Sequence, residues 1–234
     1  MSRLRPWTWK ILHVIFYVGI IVSSLTSFIS FCQLEMKFQG DCPIYAKLII
    51  ENVTSATSST FHFITDPAAE SHTEWGSNQC CSFCNFTFVA SFVYSVIWTW
   101  FFCVCSPGGE EGADFGVSKP WRLVPPSLIF TTLMTVVVMV AAVLLKQGMS
   151  HFCDQMGKSE VGSCYNAQQV TWKNYPQLAD FYNFYIVSEI SAILAATCWS
   201  FATLILFIRC CSGSDFVAPE KKCLTSTDAR TEAV

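Results

Sequence analysis

Residues 127–145 read "SLIFTTLMTVVVMVAAVLL", with no charged side chain anywhere in the stretch. A helix that crosses a bilayer needs about 20 consecutive, mostly apolar residues, and this stretch supplies them. Three others do the same: "ILHVIFYVGIIVSSLTSFISFC" (11–32), "FTFVASFVYSVIWTWFFCVC" (86–105) and "FYIVSEISAILAATCWSFATLILFI" (184–208). Hydrocarbon offers the backbone no hydrogen-bond partner, so each must be a helix. Bulk composition agrees. The 234 residues are 52% hydrophobic and 13% charged, with mean hydropathy +0.41, against about 25% charged for a soluble domain. The expected fold is an all-α membrane protein, a four-helix transmembrane bundle with disulfide-linked extracellular loops.

Four spans divide the rest of the chain. Residues 1–10 form one terminus, 33–85 a first outer loop, 106–126 an inner loop, 146–183 a second outer loop, and 209–234 a tail. Arg3, Arg5 and Lys10 precede the first span, as in a signal peptide. The apolar run exceeds the roughly 7–15 residues of such a peptide's core, and no small-residue cleavage site follows it. It reads as an uncleaved anchor. Orientation follows the Lys and Arg balance of the loops. The side with both termini holds nine (Arg3, Arg5, Lys10, Lys119, Arg122, Arg209, Lys221, Lys222, Arg230), and the other five (Lys37, Lys47, Lys146, Lys158, Lys173). Both termini are therefore expected in the cytosol, and the longer loops outside. The plasma membrane and endomembrane vesicles both fit.

The stretch before the second span, "EWGSNQCCSFCNFT" (74–87), then lies in an oxidising compartment, where disulfides form. Six outer cysteines are disulfide candidates: Cys42, Cys80, Cys81, Cys84, Cys153 and Cys164. The expectation is a framework tying the two loops over the bundle, with connectivity open. Two chemical readings compete. Cys81-Ser-Phe-Cys84 has redox-motif spacing at a predicted helix start, without a thioredoxin-like pattern around it. Cys80, Cys81, Cys84 and His72 supply zinc-ligand types, without a second paired knuckle. A structural clamp is favoured over both.

Asn52-Val-Thr54 is the glycosylation candidate; Asn85-Phe-Thr87 abuts a span and is discounted. Residues 43–50 (PIYAKLII) partly alternate and read as a short strand, while 52–62 (NVTSATSSTFH) read as polar and turn-like with weak β character. His13 and Glu189 are the ionisable groups at span depth, hence functional candidates. Both lie near span ends and are expected at headgroup level. Ser23, Ser24 and Ser27, and Ser188, Ser191, Ala192, Ala195 and Ala196, are small residues at helical spacing, suited to close helix packing. Cys103, Cys105, Cys210 and Cys211 flank the inner span ends and are palmitoylation candidates. The tail ends Glu232-Ala233-Val234, a weak PDZ-type ending.

No catalytic constellation and no cofactor or metal motif emerges. The glycines of "SPGGEEGADFGVSKP" (106–120) follow no strand and match no nucleotide-binding pattern. A net charge of -3 leaves no nucleic-acid footprint.

The residues carry a family resemblance. "FQGDCPIYA" (38–46) resembles the F-x-G-x-C-x-L/I-[FY] signature of the transmembrane protein 179 family. "CDQMGKSEVGSCYNAQQVTW" (153–172) and "FYNFYIVSEISAILAATCWSF" (181–201) resemble the second-loop and fourth-span pattern of its B member, and "EWGSNQCC" (74–81) the E-W-G…C stretch of the other branch. The resemblance implies a four-span membrane protein and no particular activity. Cys80, Cys84 and the tail depart from the pattern. A looser likeness of layout is to claudins, with the full W…GLW…C…C pattern absent. Function is expected to be non-enzymatic: an organiser or partner-binding protein in the bilayer. The alternative is a small channel, transporter or accessory subunit.

Overall fold

A computed structural model describes residues 6–55, 58–66, 68–104 and 124–211. Helices α1 (Pro6–Lys37), α2 (Asn78–Val104), α3 (Val124–Lys158) and α5 (Phe181–Cys211) form the bundle. Strands β1 (Cys42–Lys47), β2 (Ile50–Ser55), β3 (Ser58–Phe63) and β4 (Glu74–Gly76), with the single turn α4 (Cys164–Ala167), cap one end, termed the outer end. All four long helices are apolar and long enough to cross a membrane.

The bundle is inverted relative to a soluble protein. Its outward faces are apolar: Ile129 and Ile190 are 69% and 62% exposed. Its interior carries hydroxyls, with Ser23, Ser24, Ser27, Ser91, Ser95, Thr131 and Ser188 buried. A helix apolar on its exposed face needs a hydrocarbon solvent. α1 packs most closely on α5 and α2, and α3 on α5. The small residues of α1 and α5 meet there, with Ser27 Oγ donating to Ser188 O at 3.1 Å. Small side chains bring the two backbones into this contact.

The helices outrun the spans read from hydropathy. At about 1.5 Å per residue, the 35 residues of α3 extend about 52 Å, well beyond a hydrocarbon core of about 30 Å. The excess projects at the outer end. Leu145, Met149, Phe152 and Met156, at helical spacing, stay buried along it. Part of the expected second loop is thus a rigid continuation of the third span. α1 stops where Gln39 and Gly40 adopt positive φ, 58° and 91°, with Gly40 N–H donating to Glu35 O at 3.0 Å. This left-handed reversal turns the chain into β1.

β1 pairs antiparallel with β4 in an irregular register, Cys42 opposite Gly76 and Lys47 opposite Glu74. β2 and β3 form a regular hairpin from Ile50 opposite Phe63 to Ser55 opposite Ser58. The strand read over 43–50 is thus two strands, β1 and the start of β2. The polar segment 52–62, read as turn-like with weak β character, is mostly hairpin. Thr73 joins the two sheets: its hydroxyl donates to Ile49 O and accepts from Ile49 N–H, each at 3.0 Å.

Two glycines are set by close approach. A Cβ on Gly76 would lie 1.8 Å from Ile44 O, and one on Gly148 would lie 2.3 Å from Ile44 Cγ2. Ile44 is thus clamped between β4 and α3. Gly148→Ala overpacks this contact at a cost of about 1–3 kcal/mol, and should lower the melting temperature by about 3–10 °C. Gly157→Ala, on the same helix, meets only Gly162 O at 3.9 Å, and should leave melting unchanged or slightly raised. Thermal unfolding in detergent compares the two.

Candidate functional site

The outer cap concentrates what could be recognised from outside the bilayer. Two disulfides staple it. Cys42–Cys81 ties β1 to the first turn of α2, and Cys153–Cys164 ties the projecting end of α3 to α4. Each closes within one loop, so the expected covalent link between loops is corrected. The loops are joined by packing. Phe63 stacks on Trp172 at 4.4 Å between ring centroids and 9° between planes, and meets Trp75 and Tyr175 edge-on. Phe61 N–H donates to Thr171 O, and Lys173 N–H to Phe61 O.

Side chains add to the seam. Tyr175 Oη donates to Asp41 Oδ2 at 2.9 Å, Gln39 Nε2 to Asn174 O at 2.8 Å, and Asn52 Nδ2 to Glu160 Oε2 at 2.9 Å. Burial, then the bond to Asp41, holds the Tyr175 phenol above its ordinary range. Trp172 Nε1–H donates to Ala167 O at 2.7 Å, so this indole anchors both its stacking face and its polar edge. Asn52, the glycosylation candidate, lies partly buried on β2.

Cys80 and Cys84 are free thiols, which corrects the expectation that all six outer cysteines pair. They lie one turn apart on α2, and the buried Cys84 turns toward α3, its Sγ 3.8 Å from Ala141 O. Cys81, the residue between, takes the direction that meets β1. The Cys81–Cys84 redox motif therefore does not exist as a pair, because Cys81 is bonded to Cys42. The zinc set of Cys80, Cys81, Cys84 and His72 loses a ligand to the same disulfide. Among the described residues no group of three or more His, Cys, Asp or Glu is arranged to hold a metal.

Beneath the cap lies a group that sequence reading missed. Asn85 Nδ2 donates to Glu35 Oε2 at 2.5 Å, and Cys32 Sγ contacts Asn85 Oδ1 at 3.6 Å. Hydropathy ends at Cys32, which puts Glu35 in the first outer loop of the sequence reading. The helical spacing of Phe31, Leu34 and Phe38 was the available signal that α1 continues. Asn85, the discounted sequon, is occupied here as a helix-to-helix bridge.

Inside the bundle, hydroxyls pair across helices. Ser24 Oγ and Ser91 Oγ are 2.7 Å apart, Trp199 Nε1–H donates to Ser91 Oγ at 2.8 Å, and Thr135 Oγ1 meets Thr203 Oγ1 at 2.7 Å. This links α1, α2 and α5, and α3 to α5. Glu189 is partly exposed on α5, one turn along the helix from Tyr185. His13 is fully buried between helices. Of the palmitoylation candidates, Cys103 and Cys211 are exposed and Cys210 partly so, at inner helix ends. Cys105, the inner loop 106–120 and Glu232, Ala233 and Val234 lie outside the described residues.

Residues 9–229 match the family model described as the transmembrane protein 179/179B claudin domain. That description spans both branches and does not separate the B member. Comparisons with curated proteins and with solved structures return no match.

The Ser91–Trp199 bond joins α2 to α5 and predicts a coupled effect. Trp199→Phe and Ser91→Ala should each cost about 1 kcal/mol in membrane-mimetic unfolding. Combined, they should cost less than their sum, because each removes the same bond. Additive losses would mean that the bond is not made.

Proposed function

The chain belongs to the transmembrane protein 179/179B claudin-domain family, and we propose that it is a non-enzymatic organiser that presents its outer cap to other membrane proteins. The observation that carries this reading is the construction of the cap. Two disulfides and the Phe63–Trp172 stack hold strands from one loop against the turn of the other. A preorganised surface loses little conformational entropy when a partner binds. The cap also offers projecting side chains, with Val53 of β2 40% exposed and Tyr165 of α4 54% exposed. The intramembrane hydroxyls bond one another and nearby carbonyls, which supports helix packing over a lined pore.

In this proposal both termini are cytosolic, in the plasma membrane or endomembrane vesicles. The Lys and Arg asymmetry of the loops supports that orientation. Cys103, Cys210 and Cys211 at the inner helix ends are acylation candidates that would strengthen lateral association with lipid. A tail contact through Glu232, Ala233 and Val234 is a secondary proposal resting on sequence alone.

Proximity crosslinking in intact cells, with a photoreactive residue at Val53 or Tyr165, tests the reading. The expected result is capture of a small, reproducible set of membrane proteins. Trp172→Ala, which removes the stack while leaving the spans intact, should reduce that capture to background at equal surface expression. No captured species above background at either position, or capture indifferent to Trp172→Ala, removes the support for a cap-borne partner.

A further inference from the structure

His13 is the buried ionisable group that the proposed function leaves unused. It lies on α1 near the inner end and is fully buried. Neither ring nitrogen has a hydrogen-bond partner among the described residues. Its ring stacks on Phe102 of α2, 4.7 Å between centroids and 14° between planes, and lies 6.3 Å from Tyr17 one turn along α1. Tyr17 continues the layer to Phe102 at 5.7 Å and to Trp199 of α5 at 5.8 Å. The inner junction of α1, α2 and α5 is thus an aromatic stack with an imidazole as one member.

A phenylalanine at 13 would fill the same stack without an unsatisfied nitrogen. The imidazole adds a proton-accepting atom where no donor reaches it, which costs free energy in the folded state. Among the described residues, Tyr17 on its own helix lies against it and Arg209 on α5 is within electrostatic range, while α2 presents the Phe102 ring. No described carboxylate pairs with the ring. An imidazolium at this position would be a buried cation with no described counter-ion. It gains solvation only if α2 moves off α1 at Phe102.

We propose that His13 is an acid-sensitive latch on the inner end of the bundle: neutral, it stacks on Phe102 and closes α1 against α2; protonated, it is expelled and the inner ends of the two helices part. The latch converts acidification into exposure of the inner aromatic layer, while the stapled cap keeps the outer ends together. It depends on no partner and no orientation in the membrane. Its failure and the failure of the proposed function are therefore separately detectable.

Hydrogen exchange in nanodiscs at pH 7.5 and pH 5.5, corrected for intrinsic exchange, is the test. Residues 98–103 and 11–17 should exchange about tenfold faster at the lower pH, and the cap at residues 42–47 should not change. His13→Phe should abolish the acid response. Arg209→Gln should shrink it, because the repelling cation is gone, and a packing role for His13 alone would not show that. Should His13→Phe fail to fold, His13→Leu provides the same comparison. An equal acid response in the His13 variants and the wild type overturns the proposal, as does an acid-invariant inner end in the wild type.

Discussion

Phe38 is the contact on which the architecture turns. It is the first residue beyond α1 and is fully buried. Four aromatic rings surround it: Trp75 of β4 at 5.7 Å, Phe152 of α3 at 5.3 Å, Phe181 of α5 at 5.7 Å, and Tyr175 at 6.5 Å. Two helices, α3 and α5, and both outer loops thus meet on one side chain at the end of α1. The contact requires α3 to continue past the bilayer, since Phe152 lies beyond the charge-free stretch. It also requires the reversal at Gln39 and Gly40, which sends β1 back over the bundle. The two edge-on pairs, with Phe152 and Phe181, add about 0.5–1.5 kcal/mol each beyond simple burial.

This places the two halves of the molecule under different physics. In the cap, aromatic burial from water supplies the driving force, and the disulfides restrict each loop's unfolded state. In the bilayer, lipid is as apolar as leucine, so burial of apolar surface gains little. Close packing of Ser27 on Ser188, and the bonds among Ser24, Ser91 and Trp199, replace it. Phe31 and Leu34, buried in the same cluster as Phe38, bridge the two regimes.

Much of this was legible in the sequence, in proportion to how local the signal was. The four spans follow from apolar length alone, and the small residues of α1 and α5 marked their contact. Boundaries were less readable. Hydropathy drops at Lys146, while the buried stripe of Met149, Phe152 and Met156 continues helically among polar neighbours. The β2–β3 hairpin was hidden because Ser and Thr fill its strands, and its pairing is fixed by Phe61 and Phe63 meeting Trp172 far along the chain. The cysteine pairing was unreadable for the same reason. Cys80, Cys81 and Cys84 are equivalent in sequence, and only helical phase decides that Cys81 faces β1.

The central claim is that each outer loop is stapled to itself and that the two are coupled without a covalent bond, by aromatic packing and the hydrogen bonds along their seam. Peptide mapping of the purified protein under non-reducing conditions, after alkylation in denaturant, tests it most directly. Cys42 joined to Cys81 and Cys153 joined to Cys164, with Cys80 and Cys84 recovered alkylated, is the expected outcome. A disulfide joining any of Cys42, Cys80, Cys81 or Cys84 to Cys153 or Cys164 would show that the loops are covalently linked, and that the Phe38 and Phe63 clusters are not what couples them.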